Sequence, residues 1–245
     1  MYKLSVIVPA KNESANLPSC IGGIVEVLKK NQIKHEVLVI DDGSTDNTQE
    51  ILKEIISEQH SVRCVKNQGQ SGFGNSVRLG LQKFTGDAVA IMMADRSDSP
   101  KDLVRYWNLL LESDTECAFG SRFMAGGYTY NYPKIKLIIN RIVNTLIRIV
   151  FNIKYNDVTN AFKMYRREVI EGCKPFISPH FNLTVEIPLK AVIRGYSWKV
   201  LPISWKNRTH GVAKLKLREM GSRYFFIVAY LWLEKYFSRG DYLKK

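Results

Sequence analysis

The stretch that decides the fold is VLVIDDGSTD, residues 37–46. It starts as a short apolar run, Val37–Ile40, and ends in Asp41, Asp42 and small polar residues. Such a run predicts a strand that is buried on both faces of a parallel sheet. Ligands of open α/β sheets bind beyond the carboxyl ends of the strands. We therefore expect the two carboxylates to lie at a binding edge.

The same pattern repeats through the first half of the chain. Four further short apolar runs are predicted strands: Leu4–Val8, Val62–Val65, Ala88–Met93 and Cys117–Phe119. Helical patterns separate them, over about Ser14–Lys30, Thr45–Ser57 and Asn75–Lys83, and from Ser99-Pro100 onward. Asp46 and Gln49 resemble a capping box. This alternation predicts an α/β fold with a mostly parallel open sheet and helices on both faces.

The second half of the chain is richer in amphipathic helices. The pattern predicts helices over Pro133–Phe151, Phe181–Arg194 and Leu217–Phe237, a strand over Trp198–Trp205 and a basic loop over Asn207–Lys216. Arg141, Thr145 and Arg148 share one helix face because they are spaced i, i+4, i+7. We divide the chain into a sheet domain, residues 1–215, and a C-terminal amphipathic, basic helix, residues 216–245. That helix either covers the core or faces a membrane.

Composition excludes several classes of protein. The chain has 245 residues, of which 45% are hydrophobic and 24% charged, which excludes disorder and fibrous repeats. Its four cysteines occur singly and without a CxxC pair, which favours reduced thiols in the cytosol over a disulfide framework. The four scattered histidines argue against a zinc cluster.

Positive charge is concentrated towards the C-terminus. The formal net charge is +13, and residues 190–245 hold 13 basic and 3 acidic side chains. Such a segment favours a polyanion: a nucleic acid, an anionic membrane surface or a phosphorylated substrate. No nucleic-acid-binding signature accompanies it, which disfavours nucleic acid. The longest uncharged apolar run is Tyr224–Leu233, whereas spanning a bilayer takes roughly 18 to 20 residues.

Two acidic sites admit two interpretations each. Asp41-Asp42 suits contacts with a base, a ribose or a metal-bound diphosphate. The residues Asp-Gly-Ser-Thr-Asp are also types that favour turns and helix N-caps. Asp95 follows the most hydrophobic strand, where a carboxylate suits Mg²⁺ or Mn²⁺. The competing interpretation is a helix cap through Asp98 or Ser99.

The glycine-rich segment Gly69–Gly80 and a group of four cations also admit two interpretations each. Glycine lets a backbone approach phosphates, but a tight strand-to-helix turn is the simpler interpretation. Neither GxGxxG after the first strand nor a P-loop is present, which disfavours nicotinamide oxidoreductases and P-loop NTPases.

Arginine suits phosphate binding, although a lone cation usually belongs to a solvated surface. The cations are Arg122, Arg141, Arg208 and Lys214.

Several motifs together resemble family 2 glycosyltransferases of the GT-A (Rossmann-like) fold. They are Val6-Ile7-Val8-Pro9-Ala10-Lys11-Asn12-Glu13, Asp41-Asp42-Gly43-Ser44-Thr45-Asp46, Met93-Ala94-Asp95 and Gly120-Ser121-Arg122. Three more segments narrow the resemblance to the dolichol-phosphate mannose synthase branch: Asn140-Arg141, Asp157–Tyr165 and Asn207–Lys214. The resemblance covers roughly residues 4–220. It is specific for the family and the fold and much less so for the sugar.

The resemblance implies a role for each matching residue. The implied nucleotide-sugar contacts are Pro9, Lys11, Glu13, Asp41, Asp42, Ala94 and Asp95. The implied acceptor-phosphate contacts are Arg122, Arg141, Thr145, Arg208 and Lys214. The implied catalytic residues are Asp95, Arg122, Arg141 and Arg208, and the implied ligands of a Mg²⁺ or Mn²⁺ cofactor are Asp95 and Ser97.

Departures from the family pattern affect metal and phosphate binding. Met93 stands where the family has the first Asp of Asp-Ala-Asp, and a thioether cannot replace a carboxylate on Mg²⁺. Ser97 stands where many relatives have Gln, with Asp98 as a substitute ligand. Ala213 stands where a hydroxyl residue is common, which removes one phosphate hydrogen bond.

The resemblance implies inverting transfer of a hexose from a UDP- or GDP-sugar to a polyprenyl phosphate, dolichyl or undecaprenyl. It also implies a peripheral location on the cytoplasmic face of an anionic membrane, with or without a separate membrane-protein partner. Because a phosphate is already anionic at neutral pH, positioning and charge stabilisation suffice without a strong general base. Two alternatives remain: a family 2 transferase with a soluble or cell-surface glycan acceptor, and a degenerate nucleotide-sugar-binding or scaffold protein.

Overall fold

A seven-stranded sheet forms the centre of the computed structural model, which describes residues 2–207 and 217–244. In spatial order its strands are β3 (Val62–Lys66), β2 (His35–Asp41), β1 (Leu4–Ala10), β4 (Ala88–Ile91), β7 (Lys163–Arg166), β5 (Cys117–Ser121) and β8 (Trp198–Pro202). A separate two-stranded ribbon pairs β6 (Tyr128–Tyr130) with β9 (Ser204–Lys206). The helices are α1 (Leu17–Lys30), α2 (Thr48–Glu58), α3 (Phe73–Lys83), α4 (Pro100–Glu112), α5 (Lys134–Phe151), α6 (Arg167–Cys173), α7 (Leu183–Ile193) and α8 (Leu217–Phe237).

The core lies on both faces of the sheet, because successive side chains of a strand point to opposite faces. Leu4, Val6 and Val8 of β1 pack on one face with α1 and α4. Ile7 packs on the other face, in a cluster that includes residues of α3, α5 and α7. The uninterrupted apolar runs of the sequence are thus buried on both sides, and the predicted α/β fold with a mostly parallel sheet is confirmed.

Strand β7 was not predicted from the sequence pattern. It lies antiparallel between β4 and β5, whereas the remaining pairs of the large sheet are parallel. Because it runs in the opposite direction, β7 begins at the edge where β4 and β5 end. The loop before β7, residues 152–162, is thereby brought to the predicted binding edge.

The segment Trp198–Trp205 forms two strands rather than the one predicted. Pro202 pairs with Ser121 in the large sheet, and Ser204 pairs with Tyr128 in the ribbon. The chain therefore changes sheets around Ile203. Pro202, at the end of β8, is the local signal for such a change, because a proline within a run favours the end of a strand.

The C-terminal helix α8 contributes both to the core and to the surface. Ile227 and Leu231 are fully buried, in the cluster that includes residues of α5 and α7. Glu234 forms a buried ion pair with Arg194 of the segment after α7, with 2.8 Å between Nε and Oε1. Phe226 and Phe237 of the same helix are more than half exposed. Within the described residues, no helix combines the length and the apolar character that a membrane span requires.

Candidate active site

The candidate active site lies along the edge of the sheet where β1, β2, β4 and β5 end and β7 begins. The segments that follow those four parallel strands carry Lys11, Asp42, Asp95 and Arg122. The fold therefore brings the predicted residues of four distant segments to one edge. Two regions adjoin there: a rim at the ends of β1, β2 and β3, and a cavity between the ends of β4 and β5 and the helices α5 and α8.

Asp41, at the end of β2, is engaged within its own turn. Its Oδ1 accepts the Ser44 N–H (2.9 Å), and its Oδ2 accepts an N–H of the Gln49 side chain (3.0 Å). The predicted capping box is therefore wrong, because Gln49 reaches Asp41 instead of the helix start. The start of α2 is stabilised by Asp46, whose Oδ1 accepts the Thr48 N–H (3.1 Å). The turn interpretation thus describes Asp41.

Asp42 fixes the glycine-rich loop that follows β3. Its Oδ1 accepts an N–H of the Asn67 side chain (2.7 Å), and its Oδ2 accepts the Ser71 hydroxyl (2.7 Å) and the Gly72 N–H (2.9 Å). Lys11 Nζ donates to the same Ser71 hydroxyl oxygen (2.7 Å). Polar contacts therefore tie the loops after β1, β2 and β3 into one rim.

The loop after β1 is docked on the loop after β2. Asn12 Oδ1 accepts the Thr45 N–H (2.8 Å), and the Glu13 N–H donates to Thr48 Oγ1 (3.1 Å). Pro9 lies within β1 just before this loop. The predicted nucleotide-sugar residues of the first two loops thus share one rim, and Ala94 and Asp95 follow on the neighbouring strand β4.

Gly74 is explained by close packing. A Cβ at this position would collide with the carbonyl oxygen of Ser178 and with the backbone of Pro179. Beside it, the rings of Phe73 and Phe181 stack with their centroids 4.4 Å apart. These contacts favour the tight-turn interpretation of the segment Gly69–Gly80 over direct contact with phosphates.

Asp95, Ser97 and Asp98 form a buried acidic wall of the cavity. Asp95 Oδ1 accepts the Ser97 N–H (3.1 Å). Both carboxylate oxygens of Asp98 are buried without a hydrogen-bond partner. Burial, together with the charge of nearby Asp95, raises the pKa of Asp98 to about 7. An unpaired buried carboxylate beside a second one is costly, and a divalent cation would relieve that cost.

The donor set of this wall is suited to a hard cation. Asp95, Asp98 and Ser97 offer oxygen atoms, which Mg²⁺ and Mn²⁺ prefer. Met93 also lines the cavity, but its thioether is no ligand for such an ion. Across residues 2–207 and 217–244, no group of three or more His, Cys, Asp and Glu side chains is arranged to hold a metal ion. A cation here would therefore need ligands from the diphosphate or water as well.

Arg122 is buried and bonded to Asp157 of the loop before β7. Its Nε and Nη2 donate to the two carboxylate oxygens at 2.8 and 2.7 Å, and its backbone N–H donates to Oδ2 at 2.9 Å. Asp157 is fully buried. It belongs to a quoted motif, but nothing in the sequence pattern identifies it as the partner of Arg122. That pairing depends on the reversed direction of β7.

Arg141 of α5 lies close to Arg122. The guanidinium carbons of Arg122 and Arg141 are 5.1 and 4.6 Å from the centre of the same ring, Phe123. Nη1 of Arg141 is buried without a hydrogen-bond partner, so this cation has a donor to offer. Neither Arg141 nor Thr145, which was predicted beside it, is among the residues that line the cavity, and Thr145 is exposed. The structure thus brings the two arginines together without Thr145.

The cavity has a volume of about 600 Å³ and changes in character along its length. On the sheet side its wall is polar and includes Asp95, Asp98 and Arg122. On the helix side its wall is formed by α5 and α8 and is mostly apolar, with Lys136 and Asn140 as the polar side chains of α5. The apolar lining residues of these two helices are Ile139, Val143, Leu146, Ile147, Val150, Phe225 and Val228.

Lys163 anchors the loop that carries Asp157. Its buried ammonium group donates to the carbonyl oxygens of Val158 (2.9 Å), Thr184 (3.4 Å) and Asn160. Burial lowers the pKa of Lys163 to about 7. Sequence reasoning missed this lysine, because one basic residue in a short segment gives no signal of burial.

Part of the predicted site lies outside the described residues. Residues 208–216 include Arg208, Lys214 and Ala213, together with most of the basic loop Asn207–Lys216. The predicted domain boundary at residues 215–216 also falls at the end of this segment.

The open sheet, with one antiparallel strand among parallel ones and an acidic segment after β4, is that of the GT-A glycosyltransferases. The chain belongs to glycosyl transferase family 2, whose sequence profile matches residues 5–173. The predicted family and enzyme class are therefore confirmed.

Two curated relatives match most of this chain. One is polyprenol monophosphomannose synthase of Mycolicibacterium smegmatis, 29% identical over 216 residues, which are 86% of this chain and 80% of the relative. The other is dolichol-phosphate mannosyltransferase of Pyrococcus furiosus, 29% identical over 220 residues, which are 87% of this chain and 59% of the relative.

Solved structures support the fold. Glucosyl-3-phosphoglycerate synthase of Mycobacterium tuberculosis, in complex with Mn²⁺, UDP and glucosyl-3-phosphoglycerate, superimposes with a TM-score of 0.69 at 20% identity. The superposition covers 96% of this chain and 80% of that chain. The same enzyme with Mn²⁺ and UDP-glucose gives a TM-score of 0.69. At this level of identity the likeness establishes the GT-A fold alone.

Proposed function

We propose that the protein transfers a hexose from a UDP- or GDP-sugar to a polyprenyl phosphate, with inversion at the anomeric carbon, on the cytoplasmic face of a membrane. The observation that carries the proposal is the cavity of about 600 Å³, polar on its sheet side and mostly apolar on its helix side. A phosphate with a long hydrocarbon tail has the same division of polar and apolar surface. The names of the two curated relatives, a polyprenol monophosphomannose synthase and a dolichol-phosphate mannosyltransferase, agree with this class of acceptor.

Uncovered apolar side chains beside the cavity support docking to a membrane. Helices α5 and α8 line the cavity and also expose large apolar residues: Ile135, Ile138, Ile142, Leu146 and Ile149 of α5, and Phe225, Phe226, Leu233, Tyr236 and Phe237 of α8. Basic residues of the same two helices, among them Lys134, Lys136, Arg148 and Arg223, suit an anionic lipid surface. A lipid tail would then pass from the bilayer into the apolar half of the cavity.

The proposed reaction is a single displacement at the anomeric carbon. An oxygen of the polyprenyl phosphate forms a new bond to that carbon, and the bond to the nucleoside diphosphate breaks, with its electron pair leaving on the diphosphate. Arg141 and Arg122 hold the acceptor phosphate, assisted in the proposal by Arg208 and Lys214. The rim at β1 and β2 holds the nucleotide. The protein supplies position and charge stabilisation, which is all that an anionic nucleophile requires.

A divalent cation belongs to the proposal as cofactor. Asp95 would hold it, with Asp98 and Ser97 as further oxygen donors. Bound there, Mg²⁺ or Mn²⁺ would neutralise charge that develops on the leaving diphosphate. The unpaired carboxylate of Asp98 compensates in part for Met93, which stands where the family has an Asp.

The experiment that tests this function is sugar transfer to a short polyprenyl phosphate from a panel of radiolabelled UDP- and GDP-sugars. Parallel reactions contain Mg²⁺, Mn²⁺ or EDTA, and the label is counted in the organic and the aqueous phase. We expect label in the organic phase with one preferred donor, and loss of that product in EDTA.

Other outcomes separate the alternatives. Label that stays in the aqueous phase on a glycan acceptor would point to a soluble-acceptor transferase. Nucleotide binding without turnover, at any metal concentration, would point to a binding protein. Asp95→Asn serves as the inactive control, because it removes one charge while keeping the shape of the side chain.

A further inference from the structure

The ion pair between Arg122 and Asp157 determines how the arginine is presented to the cavity. The carboxylate of Asp157 accepts hydrogen bonds from Nε and Nη2 of the Arg122 guanidinium and from the backbone N–H of Arg122. A bidentate arrangement of this kind fixes the plane of the guanidinium group. Arg122 lines the cavity, whereas Asp157 lies behind it and is fully buried. Of the side-chain nitrogens, Nη1 is the one without a bond to Asp157, and the hydroxyl of Tyr132, which also lines the cavity, is a further hydrogen-bond partner of the guanidinium.

Aromatic rings restrict the guanidinium further. Its central carbon lies 5.1 Å from the ring centre of Phe123, 5.6 Å from that of Tyr132 and 5.8 Å from that of Trp205. Arg141 lies over the same Phe123 ring, at 4.6 Å. Displacement of Arg122 would therefore also disturb the surface on which Arg141 rests.

The loop that carries Asp157 is itself held in place. Lys163 donates to the carbonyl oxygen of Val158 (2.9 Å), and Asn144 of α5 donates to the Thr159 hydroxyl oxygen (2.9 Å). Asn144 also accepts the Thr159 N–H (3.2 Å). The position of the carboxylate is thus set by β7 and by α5 before any ligand binds.

We propose that Asp157 is a positioning residue for the acceptor. It holds Arg122 so that one edge, Nη1, is left for the acceptor phosphate, and it neutralises much of the charge of that arginine. The uncompensated positive charge at the phosphate then comes from Arg141, whose buried Nη1 has no partner, and from Lys136 of α5, which lines the cavity. This proposal rests on the polyprenyl phosphate acceptor proposed above.

A double-mutant cycle tests the proposal. The proteins are wild type, Asp157→Asn, Arg122→Lys and the double variant. Calorimetry measures the Kd of each for citronellyl phosphate, a short polyprenyl phosphate, and separately for UDP and GDP. We expect each single substitution to raise the Kd for citronellyl phosphate about tenfold, with the nucleotide Kd unchanged, and the double variant to equal either single one, because the two residues act as a unit.

Two further variants separate positioning from simple destabilisation. Glu36→Gln is the matched control, because Glu36 is also a buried carboxylate bonded to an arginine (Arg63 Nε, 2.8 Å) but lies at the opposite end of β2. It should lower the melting temperature and leave the citronellyl phosphate Kd unchanged. Asp157→Glu keeps the charge and should recover most of the lost affinity. Should Asp157→Asn fail to fold, Arg122→Lys still tests the expected loss of affinity and Asp157→Glu the expected retention of it.

Each contrary result has a distinct meaning. The positioning role would be overturned if the Kd of the double variant for citronellyl phosphate rose by the product of the two single effects. An equal loss of nucleotide affinity would also overturn it. A wild-type protein that binds citronellyl phosphate but transfers no sugar to it would contradict the proposed function and leave the positioning role standing. A wild-type protein that binds no citronellyl phosphate would contradict both.

Discussion

At the scale of single residues, the acidic wall after β4 combines a departure from the family pattern with an unusual buried carboxylate. Met93 replaces a carboxylate, and Asp98 adds one three residues beyond Asp95. Asp98 is buried with both oxygens unpaired, which is an expensive arrangement unless a ligand compensates for it. Asp98, which the sequence suggested both as a helix cap and as a substitute ligand, thus places a carboxylate near the position that Met93 leaves without one.

Asp98→Asn is expected to weaken Mn²⁺ binding about tenfold, the size of effect typical when a coordinating or supporting group is removed. Electron paramagnetic resonance of free Mn²⁺, titrated with protein and UDP, measures this without turnover. Asp102→Asn is the comparison variant, because Asp102 is a buried carboxylate at the start of α4 that bonds Arg105 (2.7 Å). Equal Mn²⁺ affinity in wild type and Asp98→Asn would remove Asp98 from the metal site.

Glu36 provides a pH test at the far end of the sheet. Burial opposes ionisation of Glu36, but hydrogen bonds from Arg63, Ser5 and Thr85 outweigh it and lower the pKa to about 2. In the unfolded chain the pKa of glutamate is about 4.3. Glu36 therefore stabilises the fold fully above pH of about 4.3, and this contribution disappears as the pH falls towards 2.

We expect the difference in unfolding free energy between wild type and Glu36→Gln to be constant at neutral pH and to shrink across that acidic window. Urea unfolding at a series of pH values measures it. A difference that grows on acidification would mean that the pKa of Glu36 is raised by folding instead.

At the scale of elements, α5 and α8 have two functions each. One face of each helix packs against the core, through Ile147 and Phe151 of α5 and Ile227 and Leu231 of α8. Another face is exposed and apolar. Large exposed apolar patches on a soluble protein mark surfaces that bind a partner or a membrane. Their position on both sides of the cavity explains why the proposal assigns them to a lipid surface.

The double variant Ile142→Ser with Phe226→Ser is expected to reduce binding to anionic vesicles at least tenfold, because burying one such side chain contributes about 1.5–3 kcal/mol. Both residues are more than half exposed, so the fold should be retained. Sedimentation with phosphatidylglycerol vesicles measures the bound fraction. Leu111→Ser on α4 is the control, because Leu111 is 51% exposed on a helix that packs on the opposite face of the sheet. Equal losses in both variants would argue against a specific docking face.

At the scale of the whole molecule, the net charge of +13 and its concentration in residues 190–245 set the affinity for anionic surfaces. Exposed charges act over a Debye length of about 10 Å in 0.1 M salt and about 3 Å in 1 M salt. Each Lys or Arg near an anionic bilayer contributes about 1 kcal/mol. Electrostatic attraction and apolar insertion should therefore respond differently to salt.

We expect binding to phosphatidylglycerol vesicles to fall steeply between 0.05 and 0.5 M NaCl, about tenfold or more by this charge argument. Binding to the same vesicles should fall further in the Ile142→Ser, Phe226→Ser variant at every salt concentration. Vesicles of phosphatidylcholine alone are the comparison. Salt-independent binding would assign the interaction to apolar contacts only.

Prediction from the sequence succeeded where the pattern is local. The five strands of the first half and the extents of α5 and α8 follow from apolar periodicity, and the family follows from short motifs at strand ends. It failed at β7, because two of its four residues are basic and the segment lacks the apolar run that marks the neighbouring strands. It also failed at Gln49, where a tertiary contact with Asp41 replaced a helix cap.

The sequence by itself determined the fold class and the family, and it proposed Asp95, Arg122 and Arg141 as site residues, because short motifs at the ends of the strands specify these. Only the tertiary structure decided that Asp157 holds Arg122, that Asp98 is buried unpaired and that α5 and α8 enclose an apolar cavity. Each of these depends on segments far apart in the chain meeting at one edge. The physical reason is that the burial and pairing of a side chain depend on its neighbours in space. The order of the strands decides those neighbours, and no local sequence pattern encodes that order.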